Sequence, residues 1–278
     1  MPTTPSNNHS THISAPPTSY QFTFLGTGTS VGIPMIGCVC NVCQSEDKRD
    51  KRLRTSALFS INNTNICIDS GPDFRTQMLN AGINNLHAII YTHAHQDHIA
   101  GLDDIRAFNV WQQKPIDIYM ESMVHQTLSR QYPYIFEADN KYPGAPEVSP
   151  YIISPGHTFY IHNIPVIPLR IMHGNLPIVG FRIYNLTYIT DAKYIPDDSI
   201  AQIQGSEILI INALRPNNHW SHFTLSEAID FAQKIGAKQT YLTHLSHQIG
   251  QHAYLENILP PNIFVAYDGL KINVPISV

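Results

Sequence analysis

Charge is scarce in this 278-residue chain: Asp, Glu, Lys and Arg make up only 14% of it, and the formal balance is −4. There is no basic excess of the kind that grips nucleic acid or an anionic membrane surface. The densest cationic stretch, Lys48-Arg49-Asp50-Lys51-Arg52-Leu53-Arg54, reads as a solvated loop or helix face. Long apolar runs are missing too, so nothing in the sequence reads as a bilayer span. Residues 1–20 are rich in Pro, Ser, Thr and Asn and lack the apolar core of a secretory signal. That segment is expected to be a disordered tail, ahead of one domain over residues 21–278. Cysteine is sparse, with four in the chain, and three of them crowd into six positions, poor spacing for a disulfide framework. A reduced, cytoplasmic protein is the expectation.

What the chain has in quantity is histidine, fifteen in all. Alternating and apolar runs predict strands at residues 21–25, 56–61 and 65–68, with a turn at Asn62-Asn63-Thr64. A helix is predicted over 72–81, stopping at Gly82, then a buried strand over 87–91 and a helix over 101–112. Prolines mark a looped stretch over 132–156. Further strands are predicted at 164–172, 178–184, 186–189, 208–211, 240–243, 264–266 and 270–274, with a helix at 224–235. Strands outnumber the helices scattered among them, which favours a layered α/β sandwich.

Polar clusters follow the strands, where a rigid sheet presents chemistry. His93-Ala94-His95-Gln96-Asp97-His98 places four metal-capable side chains in six positions. Imidazole and carboxylate suit zinc, manganese or iron alike. One loop cannot complete two coordination spheres, and His173, Asp191 and His244 each close an apolar strand-like run as further candidates. Downstream, Asn218-His219-Trp220-Ser221-His222 precedes a helix and offers two imidazoles for proton transfer, His222 ahead of His219. Cys38, Cys40 and Cys43 supply three thiolates for a structural zinc, which normally takes four ligands. Cys67 sits inside a strand and reads as a small buried hydrophobe, so His247, three residues after His244, is the better fourth.

The set His93-x-His95-x-Asp97-His98 with His173, Asp191 and His244 resembles the metallo-β-lactamase superfamily, from about residue 21 to the C terminus. The resemblance implies a four-layered αββα sandwich with a dinuclear site at one edge. It assigns His93, His95 and His173 to one metal and Asp97, His98 and His244 to the other. Asp191 would bridge the two, and Asp69 would support the ligands from behind. Within the superfamily, Cys38-x-Cys40-x-x-Cys43 with His244-x-x-His247 resembles the phosphoribosyl cyclic phosphate phosphodiesterases of the carbon–phosphorus lyase pathway. That implies two active-site cations (manganese or zinc), one structural zinc, and hydrolysis of a small cyclic or nucleotide-like phosphodiester by a metal-bound hydroxide that Asp97 orients. The stretch around His219 and His222 departs from that group.

Three other readings share the fold. An RNA-processing nuclease would need a basic surface or a gripping arm, and neither is seen in the sequence. A thioesterase normally adds a C-terminal helical domain. A non-catalytic metal-binding accessory protein of a biosynthetic pathway could dispense with Asp97 or Asp191, which this chain keeps. A small-molecule substrate is therefore expected, without membrane or nucleic-acid partners, and a homodimer stays open.

Overall fold

Fourteen strands form two seven-stranded sheets in the computed structural model, which describes residues 18–137, 139 and 141–276. In spatial order the first sheet holds β14 (Lys271–Pro275), β1 (Ser19–Gly26), β2 (Ser56–Ile61), β3 (Thr64–Ile68), β4 (Ala88–Ile90), β5 (Ile116–Met120) and β6 (Val148–Ile152). The second holds β13 (Ile263–Val265), β12 (Gln239–Thr243), β11 (Ile208–Asn212), β10 (Leu186–Tyr188), β9 (Leu176–Ile183), β8 (Ile164–His173) and β7 (Phe159–Ile161). The two sheets share one pattern. From one edge, each begins with antiparallel pairs and continues with parallel ones, starting at β3–β4 and at β10–β11.

Period-2 alternation decides which face each residue covers. Ile66 and Ile68 of β3 point inward while Cys67 points out; in β11, Ile208 and Ile210 face in and Leu209 and Ile211 face out. Between the sheets, Phe22, Phe24, Phe59 and Ile90 meet Val166, Phe181, Tyr188 and Tyr241. Each such buried side chain contributes roughly 1.5–3 kcal/mol. Helices Phe74–Ala81, Arg106–Gln112 and Ser122–Gln131 cover the outside of the first sheet through Phe74, Met78, Phe108 and Leu128. Helices Asp197–Ile203, Leu225–Ile235 and His252–Ile258 cover the second through Ile203, Phe231 and Leu255. The result is the expected four-layered αββα sandwich, with Cys67 fully buried as expected.

Some expectations need adjustment. The tail was expected to run to residue 20, but Ser19 and Tyr20 already belong to β1, because Tyr20 is buried and its hydroxyl donates to Asn185 Oδ1 at 2.8 Å. Residues 1–17 of that expected tail lie outside the described residues. The looped stretch 132–156 contains a short helix, Pro133–Phe136, and the strand β6, whose Pro150 is tolerated because β6 is an edge. Nor is the basic stretch all solvated. Arg52 is buried, donating to Thr27 Oγ1 at 2.7 Å and the Ala266 carbonyl at 2.6 Å, and Arg54 pairs with Asp73. Among the described residues, no helix is long and apolar enough to cross a membrane.

Candidate metal centre

The site lies at the carboxyl ends of strands from both sheets. Asp69 follows β3, the His93–His98 loop follows β4, His173 ends β8, Asp191 lies just beyond β10, and His244 follows β12. Asp69, Asp191 and His244 all have left-handed backbone, with φ of 62°, 58° and 54°. Such a conformation costs about 1–2 kcal/mol for an L-residue, so the surroundings must hold it. At Asp191 the holder is Asn212, whose side chain accepts from Ala192 N at 2.7 Å and donates to Ala192 O at 3.1 Å. At Asp69 it is the histidine loop itself: Thr92 N donates to Oδ1 and Thr92 Oγ1 to Oδ2, both at 2.8 Å. The second sheet joins in through Val179 N, which donates to Thr92 O at 3.0 Å.

These contacts fix proton positions on the imidazoles. Thr92 Oγ1 spends its single proton on Asp69, so it can only accept from His93 Nδ1, 2.9 Å away. His98 Nδ1 donates to Asp69 Oδ2 at 2.7 Å, and His173 Nδ1 donates to the Ser221 carbonyl at 2.8 Å. Each ring therefore keeps Nε2 for the interior of the cluster. His98 Nε2 is buried without a hydrogen-bond partner, 3.4 Å from both Asp97 Oδ2 and Asp191 Oδ2. His244 Nε2 lies 3.1 Å from Asp191 Oδ1 and 3.9 Å from Asp97 Oδ2.

All seven residues singled out in the sequence come together. Donor atoms of His93, His95 and His173 lie within 4.8 Å of one another, as do those of Asp97, His98 and His244, and those of His93, His98 and Asp191. Together the groupings suit metal ions: they converge, they join imidazole with carboxylate, and they are buried except at His95, which is exposed, and Asp97, which is half-buried. Burial alone would pull His98 down, yet Asp97, Asp191 and Asp69 outweigh it and hold the ring well above the usual imidazole range. Burial likewise pushes Asp191 up, but His244 and His98 hold its carboxyl well below the usual value. Burial, with charge on His98 beside it, drives His93 well below 6.5. The carboxylates are thus matched by positive charge that a divalent cation would replace.

His222 stands at the edge of this cluster, its Nε2 2.9 Å from Asp191 Oδ1. Burial pushes it down to about 4 against the opposing pull of Asp191. His219 lies behind it, Nδ1 to Nδ1 at 3.0 Å. Sequence reading missed Thr92, Asn212 and the Ser221 carbonyl as supports. Asn212 left a trace, a lone amide ending the apolar run Ile208-Leu209-Ile210-Ile211; the carbonyl has no sequence signature.

Apart from this cluster, Cys38 Sγ and Cys40 Sγ lie 3.3 and 3.4 Å from His247 Nδ1, and Cys43 completes a four-donor group. The Cys43 N–H and His247 lower the Cys40 thiol to about 6, whereas burial raises Cys43 to about 11.

A match to the beta-lactamase superfamily domain covers residues 64–245. Among solved structures the chain is similar to a diphosphatase of the PhnP family, at 36% identity and a TM-score of 0.87 over 94% of this chain and 99% of that one. It shares its fold with the short form of human tRNase Z, at 19% identity and a TM-score of 0.68 over 92% and 100% of the two chains. An octanoyltransferase of Porphyromonas gingivalis is 43% identical over 89% of this chain, which spans only 50% of that protein's length.

Proposed function

This chain belongs to the metallo-β-lactamase superfamily, and we propose that it is a dinuclear metal-dependent phosphodiesterase opening a small cyclic or nucleotide-like phosphodiester. The observation that carries the reading is the set of imidazoles whose Nδ1 atoms are already engaged outside the cluster, which leaves Nε2 for its interior; that of His98 lies 3.4 Å from both Asp97 Oδ2 and Asp191 Oδ2. His93, His95 and His173 would hold one cation, Asp97, His98 and His244 the other, and Asp191 both. Manganese and zinc each suit this donor set. Two such cations, when bound, supply an ionised water and neutralise charge on phosphate oxygens.

The chain's own residues do the rest. Asp69 holds His98 and Thr92 holds His93 in fixed orientation, so little reorganisation of these two rings is needed when substrate arrives. Asp97 orients the attacking water and is a poor proton donor, since its carboxyl is held well below the usual range: His98 and His244 overcome the upward push of burial. His222 serves as general acid, with His219 at its back. A negatively charged diester beside His222 raises its proton affinity, so the proton it donates to the leaving oxygen is taken up as substrate binds. Cys38, Cys40, Cys43 and His247 would hold a structural zinc.

A second reading, cleavage of a diphosphate bond, is favoured by the likeness to the PhnP-family diphosphatase and uses the same residues. The nuclease, thioesterase and accessory-protein readings have less support. The net charge of −4 is unsuited to a polyanion, and Asp97 and Asp191 are both in place within the cluster. Acyl transfer is not carried over from a protein of which this chain matches half. We place the protein in the cytoplasm, acting on a small molecule. The test is hydrolysis of bis(p-nitrophenyl) phosphate by the manganese- or zinc-loaded protein. Asp97→Ala should lower turnover by at least about a hundredfold with circular dichroism unchanged; a variant as active as the parent removes the mechanism.

A further inference from the structure

Trp220 has no part in the mechanism above, yet it occupies the rim of the site. The residue is 72% exposed. Even so, the ring is held in place. A Cβ on Gly174, at the tip of the β8–β9 hairpin, would overlap the indole, so the ring rests directly on glycine backbone. The loop that carries it is fastened on several sides. Arg215 Nη2 donates to Asn218 O at 2.9 Å, Lys193 Nζ to Asn218 Oδ1 at 3.2 Å, and Phe223 N to Ala192 O at 2.7 Å. The Ser221 carbonyl, next in the chain, is the one that accepts from His173. The indole also lies nearly parallel to two imidazoles. Its centroid is 6.3 Å from His173 at 24° and 6.2 Å from His219 at 29°.

A flat, open, pre-positioned aromatic surface one ring away from a candidate metal ligand is what stacking recognition needs. A phosphodiester engaged at the cluster would bring its attached group over this surface. We propose that Trp220 is the stacking platform for a planar ring in the substrate. This narrows the proposed substrate class to phosphodiesters that carry an aromatic base, and it rests on the hydrolytic reading above. No hydrogen-bond donor of the indole is needed for this, so the platform selects for a ring and tolerates differences between bases.

The experiment uses the metal-loaded full chain and two readouts. First, adenosine monophosphate is titrated against tryptophan fluorescence. Quenching should appear in the wild type and in Trp111→Phe, whose exposed indole lies on the outer helix Arg106–Gln112, and should vanish in Trp220→Phe. Second, kcat/KM is measured for adenosine 2′,3′-cyclic phosphate and for the ring-free glycerol 1,2-cyclic phosphate. The ratio of the two should fall about tenfold in Trp220→Ala, in line with the loss of one base–aromatic stack, and recover most of the way in Trp220→Phe. An unchanged ratio, or a quench that survives in Trp220→Phe, overturns the platform. Should nucleotide quench Trp220 while neither cyclic phosphate is cleaved, the platform stands and the phosphodiesterase reading fails. Should both be cleaved at an unchanged ratio, the reverse holds.

Discussion

At the scale of single residues, function turns on where a few protons sit. Asp69 touches no open space, being fully buried, but it takes hydrogen bonds from Thr92 N, Thr92 Oγ1 and His98 Nδ1 and thereby sets two imidazoles at once. Residues that orient metal-binding imidazoles in this way commonly matter 10–100-fold for metal affinity or activity. His222 has a different task, in the proposed account, because it must hand a proton to the leaving group. His222→Ala should therefore depress kcat, by about 10²–10⁴-fold for a general acid, well beyond any rise in KM. An effect confined to KM would make His222 a substrate contact.

At the scale of elements, close backbone approach places the histidine loop. Ser70 N donates to His98 O, and Gly101 N donates to Ser70 O, both at 2.8 Å. A Cβ on Gly101 would overlap the Gly71 carbonyl, so only glycine lets the two loops meet. Gly101→Ala should cost about 1–3 kcal/mol of stability, as overpacking does, and reduce activity with it; denaturant unfolding and turnover measured side by side check this. The cysteine loop is a second fastening, joining residues 38–43 to His247 across more than 200 positions of sequence. Cys40→Ser should release one zinc per chain and lower Tm, by about 2–4 °C for each kcal/mol lost. Unchanged metal content and Tm would remove the structural zinc.

At the scale of the whole molecule, neither sheet holds the site alone. The first sheet supplies Asp69 and the His93–His98 loop; the second supplies His173, Asp191 and His244. Much of this was readable in sequence, because strand alternation and the polar residues that end strands leave local signatures. The run 208–211 and the ligand candidates behind strands are of that kind. β5 and the helix Ser122–Gln131 were not expected. In β5, Asp117 interrupts the apolar pattern, and the helix buries only a narrow stripe including Val124 and Leu128. Arg52 was misread because its burial depends on Thr27 and the Ala266 carbonyl, partners remote in sequence. The supports offered by backbone atoms, such as the Ser221 carbonyl, have no letter in the sequence at all.

The proposed binding of one pair of cations between the two sheets is most directly tested by metal content per chain, measured by mass spectrometry on wild type and Asp191→Asn after loading and desalting. The account predicts about three ions per wild-type chain, and the loss of at least one from the variant while circular dichroism stays native. Equal metal content in the two proteins would contradict it.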